Sequence, residues 1–149
     1  MQQKNCGSCN PLGDYGPEPY IADLRQATMR NQNYRTALWT GQYQQLTLMK
    51  INVGDDIGLE VHPHTDQFIY VVEGHGCATL GSSKDKLNYQ RNIGNDCAVF
   101  VPAGTWHNVI NTGRTPLKVF TLYAPPHHPH GTVHQTKAIA EADEQDSQY

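Results

Sequence analysis

The chain has 149 residues, a net charge of −3 and no block of Lys or Arg. This length fits one domain, and the charge gives no reason to expect a nucleic-acid partner or an acidic membrane surface. No apolar run approaches the roughly 18 residues of a spanning helix, and the first ten residues contain no hydrophobic signal region. We therefore expect a single soluble cytoplasmic domain with no membrane association.

The first 19 residues are rich in Gly, Pro and Asn and lack periodicity, so we expect residues 1–19 to form a flexible or draped arm. The arm carries Cys6 and Cys9 as an isolated C-G-S-C motif. A zinc knuckle would need a second such pair, and a thioredoxin-like dithiol would need a helix directly afterwards. The pair therefore receives no assigned role. Cys77 and Cys97 lie in apolar, strand-like stretches and are expected to be small core residues.

Residues 20–124 alternate short β-type runs with turns that contain Gly, Asn or Pro. Only residues 23–29 and 136–144 have spacing compatible with helices. Many short strands separated by such turns predict an all-β domain, a sandwich or an antiparallel barrel. Strands are expected at 43–51, 57–62, 67–72, 98–101, 106–110 and 117–122. Another is punctuated by Gly74, Gly76 and Gly81, and Leu38–Trp39 precede the first turn at residues 40–42.

Four polar side chains in the middle of these runs suggest a metal site. Glu60 and His62 are two residues apart on one predicted strand, so their side chains leave the same face. Pro63 ends that strand, and Gln67 opens the next, so a hairpin would place it opposite the first pair. His107 would arrive from a distant strand if the sheet closes into a barrel.

The resulting donor set contains two imidazoles, one carboxylate and one amide oxygen. Such nitrogen and oxygen donors suit a divalent ion such as Zn, Fe, Mn, Co or Ni. No cysteine lies in the cluster, which argues against a thiolate-rich structural zinc site.

Two segments around these residues resemble the two motifs of the cupin superfamily, written G-x5-H-x-H-x(3,4)-E-x6-G and G-x5-P-x-G-x2-H-x3-N. The resemblance covers roughly residues 35–124 and implies a small antiparallel β-barrel or jelly roll with a metal at its mouth. A short helix or loop would follow at the C-terminus. The matching positions are Gly54, His62, Gly74, Pro102, Gly104, His107 and Asn111.

Three positions depart from that pattern. Glu60 stands where the first histidine is usual, Gln67 stands where the glutamate is usual, and Asp96 replaces a turn glycine. Aspartate tolerates turn conformations, so the third change is mild. The first two keep both the number of donors and a single negative charge. We therefore interpret the site as rearranged and functional. The alternative is a decayed site in which these are ordinary polar residues of the barrel interior.

His64 leaves an ambiguity, because His62-Pro63-His64 also reads H-x-H. The spacing from Gln67 to Gly74 favours ligands at 60 and 62, but a strand that continues past Pro63 would bring His64 inward. Outside the ligand set, His64 is the candidate catalytic base at the entrance. Its alternative is an exposed loop histidine.

Residues 125–149 follow a Pro-Pro pair and contain four closely spaced histidines: His127, His128, His130 and His134. They suggest either a second metal site or an irregular loop along the barrel rim, and the prolines favour the loop. Residues from Thr136 onward are acidic and are expected to form a solvated tail. The predicted organisation is thus an arm at 1–19, a barrel at 20–124 and a rim loop with an acidic tail.

The cupin fold hosts many reactions, so the resemblance leaves three functions open. The first is a metal-dependent isomerase or lyase acting on a small polar substrate, a sugar or a keto acid. The second is a non-haem iron dioxygenase, and the third is a metal or ligand-binding module without turnover. We also expect a homodimer, because the arm and the edge strands offer unpaired backbone groups.

Overall fold

The computed structural model describes residues 13–146, and Cys6 and Cys9, to which the sequence assigns no role, lie outside this part of the chain. None of its helices there has the length and hydropathy needed to cross a membrane. In chain order the elements are α1 (Leu24–Arg30), β1 (Arg35–Thr40), β2 (Gln45–Ile51), β3 (Asp66–Glu73), β4 (Gly76–Gly81), β5 (Tyr89–Ile93), β6 (Ala98–Val101), β7 (Trp106–Asn111), β8 (Leu117–Ala124), β9 (Val133–His134) and α2 (Lys137–Asp146).

The described strands form two antiparallel sheets whose buried faces share one core. The first sheet has six strands in the order β6-β3-β8-β2-β1-β9, and the second has three in the order β5-β4-β7. Aliphatic side chains from both sheets meet in one cluster. This is the all-β architecture that the sequence predicts, with α2 as the short C-terminal helix. The buried residues of the core between the two sheets include Met49, Ile51, Ile69, Val71, Ala78, Ile93, Val99, Val101, Val109, Leu117 and Val119.

Strand β3 shows how the sequence places a polar group inside this core. Ile69 and Val71 are buried, with exposures of 1% and 0%, while Phe68 and Tyr70 between them are only half-buried on the outer face. Because side chains alternate along a strand, Gln67 shares the inward face with Ile69 and is 4% exposed. Its amide therefore points between the sheets.

Helix α1 confirms the helix expected at 23–29 and covers the outer face of the larger sheet. The Asp23 carboxylate caps it by accepting a hydrogen bond from the backbone N–H of Gln26 at 3.0 Å. Ala27 packs there with Leu38 and Leu48 in a second apolar cluster. Tyr15 packs against the same cluster, and its backbone N–H donates to the carbonyl of Leu38 at 2.9 Å.

The C-terminal segment from Thr136 onward is mostly exposed, as expected for a solvated acidic stretch, but it forms helix α2 and packs on the core at one point. Strand β9 pairs with β1, and Ala140 of α2 is 2% exposed within the main core. The packing of α2 on the core depends on this one small side chain. The acidic composition of the segment gives no sign of it in the sequence. The sequence reading also missed β5 and β9.

Two expectations are wrong. Residues 57–62 do not form a regular strand paired with β3, because Asp56 and Glu60 instead make isolated bridges to β7. Cys97 is exposed and Cys77 is half-buried, so Cys97 is not a core residue. It lies in the turn before β6, where its backbone carbonyl accepts a hydrogen bond from the Val71 N–H of β3 at 2.9 Å.

Candidate metal centre

The site is built around a short antiparallel contact between Glu60 and His107. The backbone N–H of each residue donates to the carbonyl of the other at 3.0 Å. Residues directly opposite in such a pair present their side chains on the same face. His62 is anchored two residues later, where its carbonyl accepts a hydrogen bond from Gly104 N–H at 2.9 Å.

Gln67 reaches the same point from the opposite sheet. It lies on β3, where it pairs with Val101 of β6 and Tyr123 of β8. Its Oε1 lies 2.9 Å from Nε2 of His107. The sequence places Gln67 beside Glu60 in a hairpin, whereas the structure brings the two together across the gap between the sheets.

The donor atoms of these residues lie close together. Oε1 of Glu60 is 3.4 Å from Nε2 of His62 and 3.6 Å from Nε2 of His107. Within the described residues, Glu60, His62 and His107 form the group whose ligand atoms all lie within 4.8 Å of one another. His62 and His107 are 5% and 1% exposed. The cluster is therefore mostly buried, with Glu60 towards solvent.

The hydrogen bonds of the two histidines fit a cation. Nδ1 of His107 donates to the carbonyl of Thr105 at 2.9 Å, which leaves its Nε2 facing the oxygens of Gln67 and Glu60. Among the described residues, the buried Nε2 of His62 has no hydrogen-bond partner. Lone pairs that converge without an intervening donor suit a bound metal ion, and the nitrogen and oxygen donors match a divalent one.

The electrostatics of Glu60 agree with this arrangement. Burial works to raise the pKa of its carboxyl, but the adjacent His107 and His62 imidazoles hold that pKa well below its usual value. Glu60 is therefore an anionic donor at neutral pH.

An open cleft of about 750 Å³ lies over the cluster. Its walls come from the 59–62 segment, from Trp106, from the stretch after β8, and from β9 and α2. The His127 ring lies above His62, with the two ring centroids 4.2 Å apart. The lining residues are Leu59, Glu60, Val61, His62, Trp106, His127, His128, Pro129, His134, Asp143 and Glu144.

Gln45 fixes the histidine wall of this cleft. Its fully buried side chain accepts hydrogen bonds from the backbone N–H groups of His127 and His128, at 3.2 and 2.9 Å. It donates in return to the carbonyl of His128 at 2.8 Å. The irregular chain after β8 is thereby held to the framework strand β2.

The two wall histidines are neutral at physiological pH. Burial, with the positive charge of nearby groups, lowers the pKa of His127 to about 4 and the pKa of His128 to about 2. Both rings can therefore hydrogen-bond to a ligand without attracting an anion. The buried Nε2 of His128 has no hydrogen-bond partner in the described part of the chain.

The four residues predicted as metal ligands thus lie together, while His64 occupies an exposed turn. The histidines of 127–134 do not form a second cluster of metal-ligand atoms among the described residues. His127 and His128 line the first site, and His130 binds the carbonyl of Gly16. The close spacing of these histidines is the feature of the sequence that indicates a functional role. The residues around them do not indicate that the segment folds back over the barrel.

Comparison with known proteins identifies the family. The model of the cupin domain matches residues 47–123. The chain belongs to the cupin family.

Three relatives are closely similar to this cupin. YrkC of Bacillus subtilis is 58% identical over 133 residues, which cover 89% of this chain and 72% of YrkC. Protein L612 of Acanthamoeba polyphaga mimivirus is 36% identical over 115 residues, covering 76% of this chain and 70% of L612. The crystal structure of BH2720 from Bacillus halodurans superposes with a TM-score of 0.87 at 55% identity, covering 88% of this chain and 99% of BH2720.

Proposed function

We propose that this cupin holds a divalent metal ion with Glu60, His62, Gln67 and His107 and acts as an isomerase or lyase on a small polar substrate. The observation that carries the proposal is the convergence of these donors at the base of an open cleft. A bound ion would supply Lewis-acid polarisation of a substrate oxygen.

The protein side chains have separate parts in this proposal. Glu60 would offset part of the charge of the ion, and the two histidines would orient it. The carbonyl of Thr105 fixes the ring of His107 by accepting a hydrogen bond from the Nδ1–H of that ring. His127 and His128 form the wall against which a substrate would lie. The predicted role of His64 as a base stays a prediction, and from its exposed turn it would act at the edge of the cleft.

The test begins with metal binding. Metal-free protein is loaded separately with Zn, Mn, Fe(II), Co and Ni, and bound metal is counted by mass spectrometry. We expect one ion per chain, with loss of at least about tenfold in affinity for Glu60→Ala and His107→Ala. Glu18→Ala is the matched control, because Glu18 is exposed. Equal binding by all variants would refute the site.

Activity is then assayed without oxygen on sugars and keto acids, following aldose–ketose exchange and elimination products. His64→Asn and His127→Asn are compared in the same assay, since only one of these residues lines the cleft. Stoichiometric metal with no turnover on the whole panel would instead favour a binding module, which ligand-dependent thermal stabilisation would then reveal.

The dioxygenase alternative is favoured by one specific feature. Two histidines and one carboxylate, His62, His107 and Glu60, form the compact group, and this is the donor composition of non-haem iron oxygenases. An oxygen electrode with the Fe(II)-loaded protein and phenol, thiol or diketone substrates distinguishes the two. Iron-specific oxygen uptake would replace the isomerase proposal.

We also propose a homodimer. Phe68, Tyr70, Phe100 and Phe120 form a connected aromatic cluster on the outer face of the larger sheet. Phe100 lies on the edge strand β6 and is 73% exposed. An exposed apolar surface beside an unpaired strand edge supports association with a second copy.

A further inference from the structure

The cleft over the metal centre has a buried cation behind one wall. Arg35 of β1 is 2% exposed, and its Nη1 lies 3.3 Å from Oε1 of Glu144. Glu144 is on α2 and lines the cleft, whereas Arg35 is not part of the lining, so the carboxylate is the member of this ion pair that faces the cleft. A carboxylate in this position neutralises the group that would otherwise attract an anionic substrate.

A second carboxylate on α2 reinforces the effect. Nη1 of Arg35 also contacts Nδ1 of His134 at 3.1 Å. Because arginine can only donate, this Nδ1 must accept, and the proton of the neutral imidazole is therefore on Nε2. That nitrogen donates to Asp143 at 2.7 Å. Both contacts fit the neutral imidazole tautomer of His134, and Asp143 is a second carboxylate in the lining of the cleft.

The remaining lining carries no other positive side chain. Among the described residues that line the cleft there is no Lys or Arg. His127 and His128 contribute imidazole rings to the wall. Leu59, Val61 and Trp106 add apolar surface, while hydrogen-bonding capacity comes from the imidazoles and carboxylates. With a divalent ion in place, the charges of the ion and Arg35 are matched by Glu60, Asp143 and Glu144.

We infer that the cleft selects small, neutral, hydroxyl-bearing molecules of the unphosphorylated aldose or ketose class, and that Glu144 is the residue that excludes anionic ligands. This rests on the proposed function and narrows its substrate class, which otherwise includes keto acids. A phosphate or carboxylate group would enter a site whose net charge is already balanced and would face two carboxylates. A neutral polyol loses less hydration and finds donors and acceptors on the wall.

The experiment is isothermal titration calorimetry of the zinc-loaded protein with a neutral aldohexose, its 6-phosphate and pyruvate. We expect the neutral sugar to bind at least about tenfold more tightly than either anion. Glu144→Gln should narrow this ratio about tenfold by strengthening the binding of the anions, because the charge of Arg35 is then uncovered. Glu141→Gln, on the same helix with a side chain 61% exposed, is the matched control and should leave the ratio unchanged.

Three binding results would overturn the inference: tighter binding of either anion to the wild type, an unchanged ratio in Glu144→Gln, or no binding of the neutral sugar at millimolar concentration. Metal content, melting temperature and turnover are measured on the same samples. A fully loaded, folded protein that turns over a keto acid would sustain the proposed function and still reject the selectivity. Failure to hold metal would instead reject the proposed function.

Discussion

His107 is the residue at which the donors from the two sheets meet. Its backbone is paired with Glu60, its Nδ1 is held by Thr105, and its Nε2 lies against the amide oxygen of Gln67. In this chain the carboxylate is at Glu60 and not at position 67, where the cupin motif usually has it. Both positions lie beside the imidazole of His107. Because the two positions face each other across the site, an exchange between them is geometrically possible.

The first prediction reverses that exchange. Glu60→His removes the carboxylate from the donor set and should weaken zinc binding by at least about tenfold. The double variant Glu60→His/Gln67→Glu restores one carboxylate and should recover most of the loss. Competition with a fluorescent zinc chelator measures both affinities. If the double variant binds no better than the single one, the two positions do not share one ion.

Asp96 carries the second prediction. It has a φ of 68°, a conformation that disfavours most side chains, and its Oδ1 accepts a hydrogen bond from the Tyr70 hydroxyl at 2.8 Å. Asp96→Ala should reduce the free energy of unfolding by about 1 kcal/mol, and Asp96→Gly should cost less. Urea denaturation tests this, and Tyr70→Phe measures the contribution of the hydrogen bond separately. Equal losses in the Ala and Gly variants would show that backbone strain is unimportant here.

His128 gives a pH-dependent prediction. Its pKa is about 2 in the folded protein against an ordinary value of 6.5, first because of burial and then because of Arg35 and His127, partly offset by Glu60. Below pH 6.5 the unfolded chain takes up a proton that the folded protein refuses, so the folded state loses stability as the pH falls.

We therefore expect the metal-free wild type to lose more thermal stability than His128→Gln between pH 7.5 and pH 5, by about 4–8 °C in melting temperature. Differential scanning calorimetry at both pH values, with a chelator present, measures the difference. Parallel losses in the two proteins would contradict the assignment.

At the scale of elements, ion pairs hold α2 to the barrel near the start of the helix and near its end. Near its start, Nζ of Lys137 lies 3.0 Å from Oδ1 of Asp55 and also pairs with Asp56. Although burial works to lower it, the two aspartates raise the pKa of this ammonium group. Further along the helix, Glu144 pairs with Arg35. The acidic wall of the cleft therefore depends on a helix anchored by ion pairs.

The fourth prediction concerns this anchor. Lys137→Met keeps the aliphatic stem and removes the charge, which should cost about 0.5–1 kcal/mol and speed amide exchange in α2 about threefold. Hydrogen exchange followed by mass spectrometry measures the change segment by segment. Lys84→Met, in the exposed turn before β5, should leave α2 unaffected. High salt should reproduce the effect of Lys137→Met in the wild type.

Local patterns predicted the elements unevenly. Alternation and turn residues indicate β2, β3, β6, β7 and β8, because each strand has one apolar face against the core. Strand β5 is exposed at four of its five residues, so it has no such pattern. The 57–62 segment and β9 are defined by partners distant in sequence. Residues 125–134 are likewise held over the cleft by a residue distant in sequence, Gln45.

At the scale of the whole molecule, the fifth prediction concerns assembly through the aromatic cluster. Phe100→Ser removes the most exposed ring of the cluster and should shift the protein from dimer to monomer at micromolar concentration. Light scattering coupled to size-exclusion chromatography gives the mass directly. Tyr43→Ser is the control, since Tyr43 is 75% exposed but lies in the turn before β2. A monomeric wild type would refute the dimer.

The position of Gln67 has a mechanical consequence. This donor belongs to the six-stranded sheet, whereas Glu60 and His107 are joined on the side of the three-stranded sheet. An ion held by all of them would link the two sheets directly at this point. Loss of the ion would then allow larger motions of one sheet relative to the other. The rigidity of the whole domain would therefore depend on whether the metal centre is occupied.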